Sequence, residues 1–518
     1  MCNKPYPLYE VEEMNNLKEL VNIVAEKYGD NTAFTFERNK ETISISYRQF
    51  KSDVDSLGTA LFDMGIENTK VALIGENSYE WILTYFATVN SGNVIVPLDK
   101  ELPASDVKAL VDHAEAEVFV YSDTYADLAT HLQESSTAVR HYLNKNGLKK
   151  LIEESQASIQ KDKKQVADYI VDENVLATLS YTSGTTGNAK GVMLSHRSIT
   201  RNAVGICQSV DFLDASLLVL PLHHASGFMG ALCMLIYGSA IGINGSLKSL
   251  QGDFSKYKPE SMVLVPLFIE TLYKQILAAA KGNTDKAVLA SIANKVFGGD
   301  LSIIICGAAP LDPKYVDIYA DWGIALLNVY GLTECSGAIS INRNHYNRAG
   351  SAGLVVPYCE VKISNLDENG CGEVWSRGEN IMLGYYKNEQ ATAETFDDEW
   401  FKTGDIGYLD DDGFLFITGR KKNVIILSNG KNVYPEELEF ALINQIPYIK
   451  EVVVYADNDM IIAEVFLDTE NMPDCVSRLD EDIINFNKTQ AMYKNVAKTI
   501  VRDSEFPKTT TKKIKRQR

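Results

Sequence analysis

No two of the eight cysteines stand at CxxC spacing: Cys2, Cys207, Cys233, Cys306, Cys335, Cys359, Cys371 and Cys475 are scattered over 518 residues. That argues against a disulfide framework or a cysteine zinc site and predicts reduced thiols in a cytosolic, cytoplasmic protein. Positive charge is scarce, with 50 Lys and Arg against 69 Asp and Glu and a net charge of −19, so no surface-wide positive field is present to hold nucleic acid. The N-terminal MCNKPYPLYEVEEMNN has no apolar core and does not read as a signal peptide. From Ala215 to Leu247 charged residues are missing altogether, long enough to suggest a membrane span. Pro221, His223, His224, Asn244 and five glycines interrupt that run, so a buried strand–loop–helix–strand is expected and no transmembrane segment. What is present is ordinary globular composition, 45% apolar and 23% charged, on a chain longer than the roughly 250–300 residues one core sustains. At least two domains follow.

The first half alternates helical and strand patterns. Leu17–Tyr28, Tyr47–Met64, Trp81–Val89 and Ser105–His113 read as helices, and Val71–Ile74, Val94–Val96 and Val118–Tyr121 as short buried strands. The rhythm continues through Leu217–Leu220, Ile241–Ile243, Met262–Val265, Ile303–Cys306 and Ile324–Val329, predicting an α/β domain of parallel-sheet subdomains. The polar stretch Glu153–Glu173 reads as a helix and surface connection. After about Ala349, turns at Asn369-Gly370, Asp412-Gly413 and Asn429-Gly430 mark a small β-rich subdomain. From Lys422 a strand, a helix near Pro435, strands Val452–Tyr455 and Ile461–Phe466 and a helix near Glu481–Asn487 predict a small α+β domain. The expected organisation is therefore residues 1–421 and 422–518.

The most informative segment is Ala177–His196, ATLSYTSGTTGNAKGVMLSH. Gly184 and Gly187 let backbone amides approach an anion. The hydroxyls of Thr182, Ser183, Thr185 and Thr186 can donate to phosphate oxygens, and Lys190 adds positive charge. A Walker loop needs GxxxxGK followed by Ser or Thr; Lys190 lies between Ala189 and Gly191, so that match fails. A second constellation, Asn328-Val329-Tyr330-Gly331-Leu332-Thr333-Glu334, follows a predicted strand. Its aromatic ring, hydroxyl and carboxylate at a strand's C-terminal end suit a nucleotide site.

The run Tyr-Thr-Ser-Gly-Thr-Thr-Gly-x-x-Lys-Gly resembles the signature of the adenylate-forming (AMP-binding) superfamily, and the chain is most similar to medium- and long-chain fatty acyl-CoA synthetases. The resemblance extends from about Leu17 to Arg516, with several motifs in order. It implies a fold with a large N-terminal adenylation domain and a mobile C-terminal lid. It implies that Tyr330 stacks on adenine, Asn328 bonds its amino group, Thr333 contacts the α-phosphate and Glu334 holds Mg²⁺. Gly307, Ala308 and Ala309 resemble the small-residue segment lining the adenine and acyl pockets. Within FKTGDIGYLDDDGFLFITGRKKN, Asp405 is implied to bind both ribose hydroxyls with Arg420 assisting, and Lys422 falls at the family's hinge. The terminal PKTTTKKIK resembles PKTxxGKI and places the catalytic lysine at Lys513, with Lys512 where glycine is usual.

The same resemblance frames the substrates. Pro221–Phe228 matches the acyl-pocket motif, with His224 where amino-acid-activating relatives carry an aspartate. A neutral imidazole cannot replace that countercharge, so amino acids are not expected. His224 is implied to sit near the carboxylate and gate a coenzyme A tunnel, whose pantetheine path Gly430 lines, with Asn429 beside it where many members have glycine. The implied substrates are a carboxylic acid, ATP and coenzyme A with Mg²⁺. An aryl-CoA ligase, or an acyl-AMP ligase that loads a carrier protein, shares these motifs, and a non-catalytic acyl- or nucleotide-binding homologue is the reading from another class. A lipid substrate raises peripheral membrane contact, which failure to sediment with vesicles removes. Acyl chain length and oligomeric state are not legible.

Overall fold

The computed structural model describes residues 6–157, 165–182, 189–368, 370–428, 431–457, 460–508 and 514–516. Packing divides the chain into two compact units. The first comprises 1–361, 376–401 and 411–415; the second comprises 362–375, 402–410 and 416–518. The hinge expected at Lys422 concerns motion, which packing does not address.

Two sheets organise the first unit. In one, the strands Val94–Pro97, Lys70–Ile74, Val118–Tyr121 and His141–Asn144 run parallel. Leu176–Thr182 joins them in parallel, and Lys190–Ser195 and then Gly384–Tyr385 extend the edge antiparallel. In the other, Thr32–Arg38, Ala240–Ile243, Ala215–Leu218, Ser261–Leu264, Ile303–Cys306 and Ala325–Leu332 are parallel neighbours. This is the α/β architecture expected. The inner parallel strands are buried on both faces, which is why they read as continuous apolar runs.

Local signals explain the helices. Leu17–Tyr28 starts where the Asn16 side chain accepts from Glu19 N, stops at Gly29 in the left-handed region, and buries Leu17, Leu20, Val21 and Val24. The charge-free segment resolves into the strand Ala215–Leu218, the helix Ala225–Tyr237 and the strand Ala240–Ile243. That helix is short because Gly238, at φ +80°, ends it. Among the described residues no helix is long and apolar enough to cross a membrane.

The second unit has its own core, including Val433, Leu438, Leu442, Val452, Val465, Leu479 and Phe486. Ile449–Asp457 pairs antiparallel with Met460–Leu467, which pairs in parallel with Val496–Arg502 after a crossover through the helix Cys475–Asn487. That helix starts six residues before the expected Glu481, and the closing strand Val496–Arg502, AKT-rich and half exposed, was not legible.

One buried carboxyl gives this unit a pH dependence. Glu439 accepts from Val454 N at 2.6 Å and contacts Arg516. Burial nevertheless dominates and pushes its carboxyl up to about 7, with Arg516 and the Val454 N–H offsetting only part. A raised folded-state pKa binds the proton more tightly when folded. The associated stability is therefore complete below the unfolded carboxyl range and is lost as pH rises through about 7. The urea midpoint is expected to fall between pH 5 and pH 8, and Glu439→Gln to flatten that fall; an unchanged slope in the variant assigns it to other groups.

Candidate active site

The phosphate-type loop is framed by a tight antiparallel pair. Leu176–Thr182 enters it and Lys190–Ser195 leaves it, with Thr182 directly opposite Lys190. Ser183, Gly184, Thr185, Thr186 and Gly187 lie outside the described residues. Lys190 begins the outgoing strand, and its Nζ sits 4.5 Å from the centroid of the Tyr385 ring. Tyr385 is placed there by the short strand Gly384–Tyr385, which pairs Tyr385 with Val192. Its hydroxyl donates to Glu334 Oε1 at 2.9 Å. Burial first, and then the charge of Glu334, push the phenol well above its ordinary range, so it remains a donor at neutral pH. Two residues that the sequence singled out separately, Lys190 and Glu334, are thus bridged by a third that it did not. The Gly-Tyr-Tyr in LGYYKNEQ was the available signal.

Glu334 itself is held by geometry. The strand Ala325–Leu332 turns through the 3₁₀ segment Thr333–Cys335 into the antiparallel strand Gly337–Ile341. Met382 N donates to Glu334 O at 2.9 Å, and Ser336 N to Thr333 O at 3.0 Å. The closeness of this hairpin fixes Gly331, where a Cβ would lie 1.7 Å from Gly337 O. Gly331→Ala is expected to cost about 3 kcal/mol or more through overpacking, read as a lower urea midpoint; a shift under about 1 kcal/mol contradicts the hairpin geometry.

The neighbouring strand ends contribute the small residues. Cys306 pairs with Asn328. At Gly307 a Cβ would meet Val329 Cγ1 at 2.6 Å and Val329 O at 2.7 Å. Ala308 sits at φ +68°, in the left-handed region that costs a non-glycine residue; both it and Ala309 are exposed. Asn328 Nδ2 donates to Ser351 O at 2.8 Å, which orients the amide and leaves its oxygen as the end suited to accept from an amino group. Tyr330 is half-buried on the same strand.

His224 is the residue before the helix Ala225–Tyr237 and is half-buried. It lines a cavity with Tyr85, Leu222, His223, Phe228 and Met229. The loop that carries it is clamped by Asn77, whose Nδ2 donates to Leu220 O at 2.9 Å and whose Oδ1 accepts from Leu222 N at 3.0 Å. Gly227 lets the helix approach, since a Cβ there would lie 2.2 Å from Pro221 O.

In the second unit Asp405 and Arg420 come together. Asp405 is buried on the strand Trp400–Leu409, 2.9 Å from Arg420 Nε, and its backbone N–H donates to Thr403 Oγ1 at 3.0 Å. Arg420 Nη1 also donates to Thr403 O at 3.2 Å. Gly404, within the same strand, takes φ +70°. Gly430 and Lys513 lie outside the described residues. Lys421–Asn423 forms a 3₁₀ turn directly after Arg420, and burial lowers the Lys422 ammonium pKa, helped by the charges of Arg420 and Arg516.

Comparison with known proteins identifies the family. Residues 21–386 match the AMP-binding enzyme family. A long-chain-fatty-acid–CoA ligase, FadD15 of Mycobacterium bovis, is 29% identical over 461 residues, 80% of this chain and 75% of its own length. A 2-succinylbenzoate–CoA ligase of Listeria monocytogenes is 28% identical over 509 residues, covering 94% of this chain and 95% of its own. Among solved structures, an anthranilate CoA ligase, AuaEII, in complex with anthranoyl-AMP superimposes with a TM-score of 0.80 over 99% of this chain and 96% of its own, at 21% identity, which speaks for the fold alone. With a family match spanning well over half the sequence and an adenylate-forming fold beneath it, the chain belongs to the AMP-binding enzymes.

Proposed function

We propose that this protein is an ATP-dependent acid–thiol ligase that activates a medium- or long-chain fatty acid as its acyl-adenylate and transfers the acyl group to coenzyme A. The observation that carries the reading is the Lys190–Tyr385–Glu334 arrangement beside the phosphate-type loop. It joins a cation suited to phosphate oxygens to a carboxylate suited to a hard metal ion. The residues fit Mg²⁺: Glu334 accepts one hydrogen bond from Tyr385, and a carboxylate has further lone pairs for a cation. When bound there, the ion supplies charge neutralisation on the polyphosphate.

In the first step the acid's carboxylate oxygen bonds to the α-phosphorus of ATP, the Pα–O–Pβ bond breaks and pyrophosphate leaves. No general base is required, since the acid is already ionised at neutral pH. Lys190 holds the polyphosphate, Asn328 and Tyr330 hold the adenine, and Asp405 with Arg420 holds the ribose. In the second step the coenzyme A thiol loses its proton, its sulfur bonds to the acyl carbon, and the bond to AMP breaks. His224 stands at the acyl end, and rotation about Lys422 brings residues 422–518 into their thioester-forming position.

The apolar cavity of Tyr85, Leu222, Phe228 and Met229 favours an aliphatic chain. The Listeria relative, similar over nearly its full length, supports an aromatic acid as the second reading. The test is pyrophosphate release with ATP, Mg²⁺ and fatty, aromatic and amino acids, each with and without coenzyme A. Release that requires a fatty acid and rises with coenzyme A supports the proposal. Preference for an aromatic acid moves it to the second reading. Release indifferent to coenzyme A points to a carrier-protein acceptor, and no release with any acid refutes catalysis of this class.

A further inference from the structure

We propose that Asp99, His223 and His224 form a binding site for a divalent transition-metal ion of the zinc type, in the wall of the acyl cavity and separate from the magnesium site at Glu334. Each residue offers a ligand atom, and the three atoms lie within 4.8 Å of one another. The His223 side chain is only 4% exposed, with Nε2 3.2 Å from Asp99 Oδ1. Despite that proximity, Nε2 makes no hydrogen bond in the structure. A buried polar atom left this way is destabilising, and coordination would relieve it.

The separation of Nε2 and Oδ1 also suits two ligands of one ion. Two ligands about 2.0–2.1 Å from a tetrahedral zinc ion lie roughly 3.3 Å apart, close to the observed separation. The His224 ring is 4.2 Å from that of His223, centroid to centroid, so a modest side-chain rotation completes the set. The framework is fixed on both sides. Asp99 Oδ1 accepts from Glu101 N at 2.9 Å, and Asn77 clamps the loop carrying the histidines.

Two imidazoles and one carboxylate select zinc, nickel or copper over magnesium, which prefers an all-oxygen shell. Three protein ligands leave a coordination position open, beside the cavity that His223 and His224 line. An ion here takes His224 away from the acyl group, so the site is inhibitory. That consequence rests on the proposed function; the binding itself does not.

The test uses the full chain, stripped with chelator and free of nucleotide, titrated with zinc in a calorimeter and with cobalt by visible absorption. One tightly bound equivalent and the intense absorption of four-coordinate cobalt are expected. His223→Phe and Asp99→Asn should each weaken zinc binding at least about 100-fold, since even outer-shell changes cost about 10–100-fold, with unchanged circular dichroism. In the pyrophosphate assay, zinc inhibition should be lost in both variants. Absence of binding, or binding that both variants retain, overturns the site. Binding in a protein inert toward every acid would refute the ligase reading and leave the metal site standing.

Discussion

The Glu334→Gln variant is expected to release pyrophosphate about 100- to 1,000-fold more slowly than the wild type, the range for removing one preorganised electrostatic contact to a transition state. The side chain keeps its shape, and its amide oxygen can still accept from the Tyr385 hydroxyl that now donates to Oε1. The turn is held by backbone bonds, Met382 N to Glu334 O among them, so folding should not change. What is lost is the negative charge that, on the proposed function, draws the metal ion. Tyr385→Phe provides the control. It keeps the ring against Lys190 and removes the hydroxyl that bonds Glu334 and Thr395. A hydrogen bond to a charged group contributes about 1.5–3 kcal/mol, so a loss of about 10- to 100-fold is expected, expressed as a raised magnesium requirement. Steady-state rates against magnesium concentration separate the two. A Glu334→Gln enzyme with wild-type rates at limiting magnesium would remove Glu334 from metal binding.

The parallel cores were legible because strands buried on both faces carry mostly apolar side chains: Ile303–Cys306 is buried at every position. The hairpin Thr32–Arg38 with Glu41–Ser46 was not legible. Its two turn residues, Asn39 at φ +52° and Lys40 at φ +69°, take the conformation that Asn-Gly usually announces. With lysine in the second place the turn chemistry is silent in the sequence. Among the candidate residues, motif order brought out Lys190, Glu334, Asp405 and Arg420, whose charge advertises chemistry. Tyr385 and Asn77 were missed for the opposite reason. One acts through a hydroxyl and a ring face, the other through an amide spent on backbone groups. Such roles exist only once distant segments meet, 51 residues apart for Tyr385 and Glu334 and 143 for Asn77 and Leu220.

The second large effect is expected at Lys513, where the proposal makes a prediction that separates the two half-reactions. Lys513→Ala should slow acyl-adenylate formation about 100- to 1,000-fold, because the ammonium offsets charge between carboxylate and α-phosphate only while the mixed anhydride forms. Supplied with preformed acyl-adenylate, the same variant should make thioester with coenzyme A at close to the wild-type rate. The residues flanking the lysines are well anchored in the second unit. Lys508 bridges to Ile514, Lys515 N donates to Pro507 O at 2.7 Å, and Phe506 N donates to Glu451 Oε2 at 2.8 Å. Arg516 Nη1 donates to Val454 O at 3.3 Å while its other nitrogen contacts Glu439. Both ends of the segment are therefore tied to one small sheet, and an alanine inside it should leave the fold intact. Lys512→Ala decides which lysine reacts. If it, rather than Lys513→Ala, abolishes adenylation, the terminal motif is offset by one residue. Equal loss in both half-reactions for Lys513→Ala would instead mean that the lysine supports the second unit's structure rather than the chemistry of the first step.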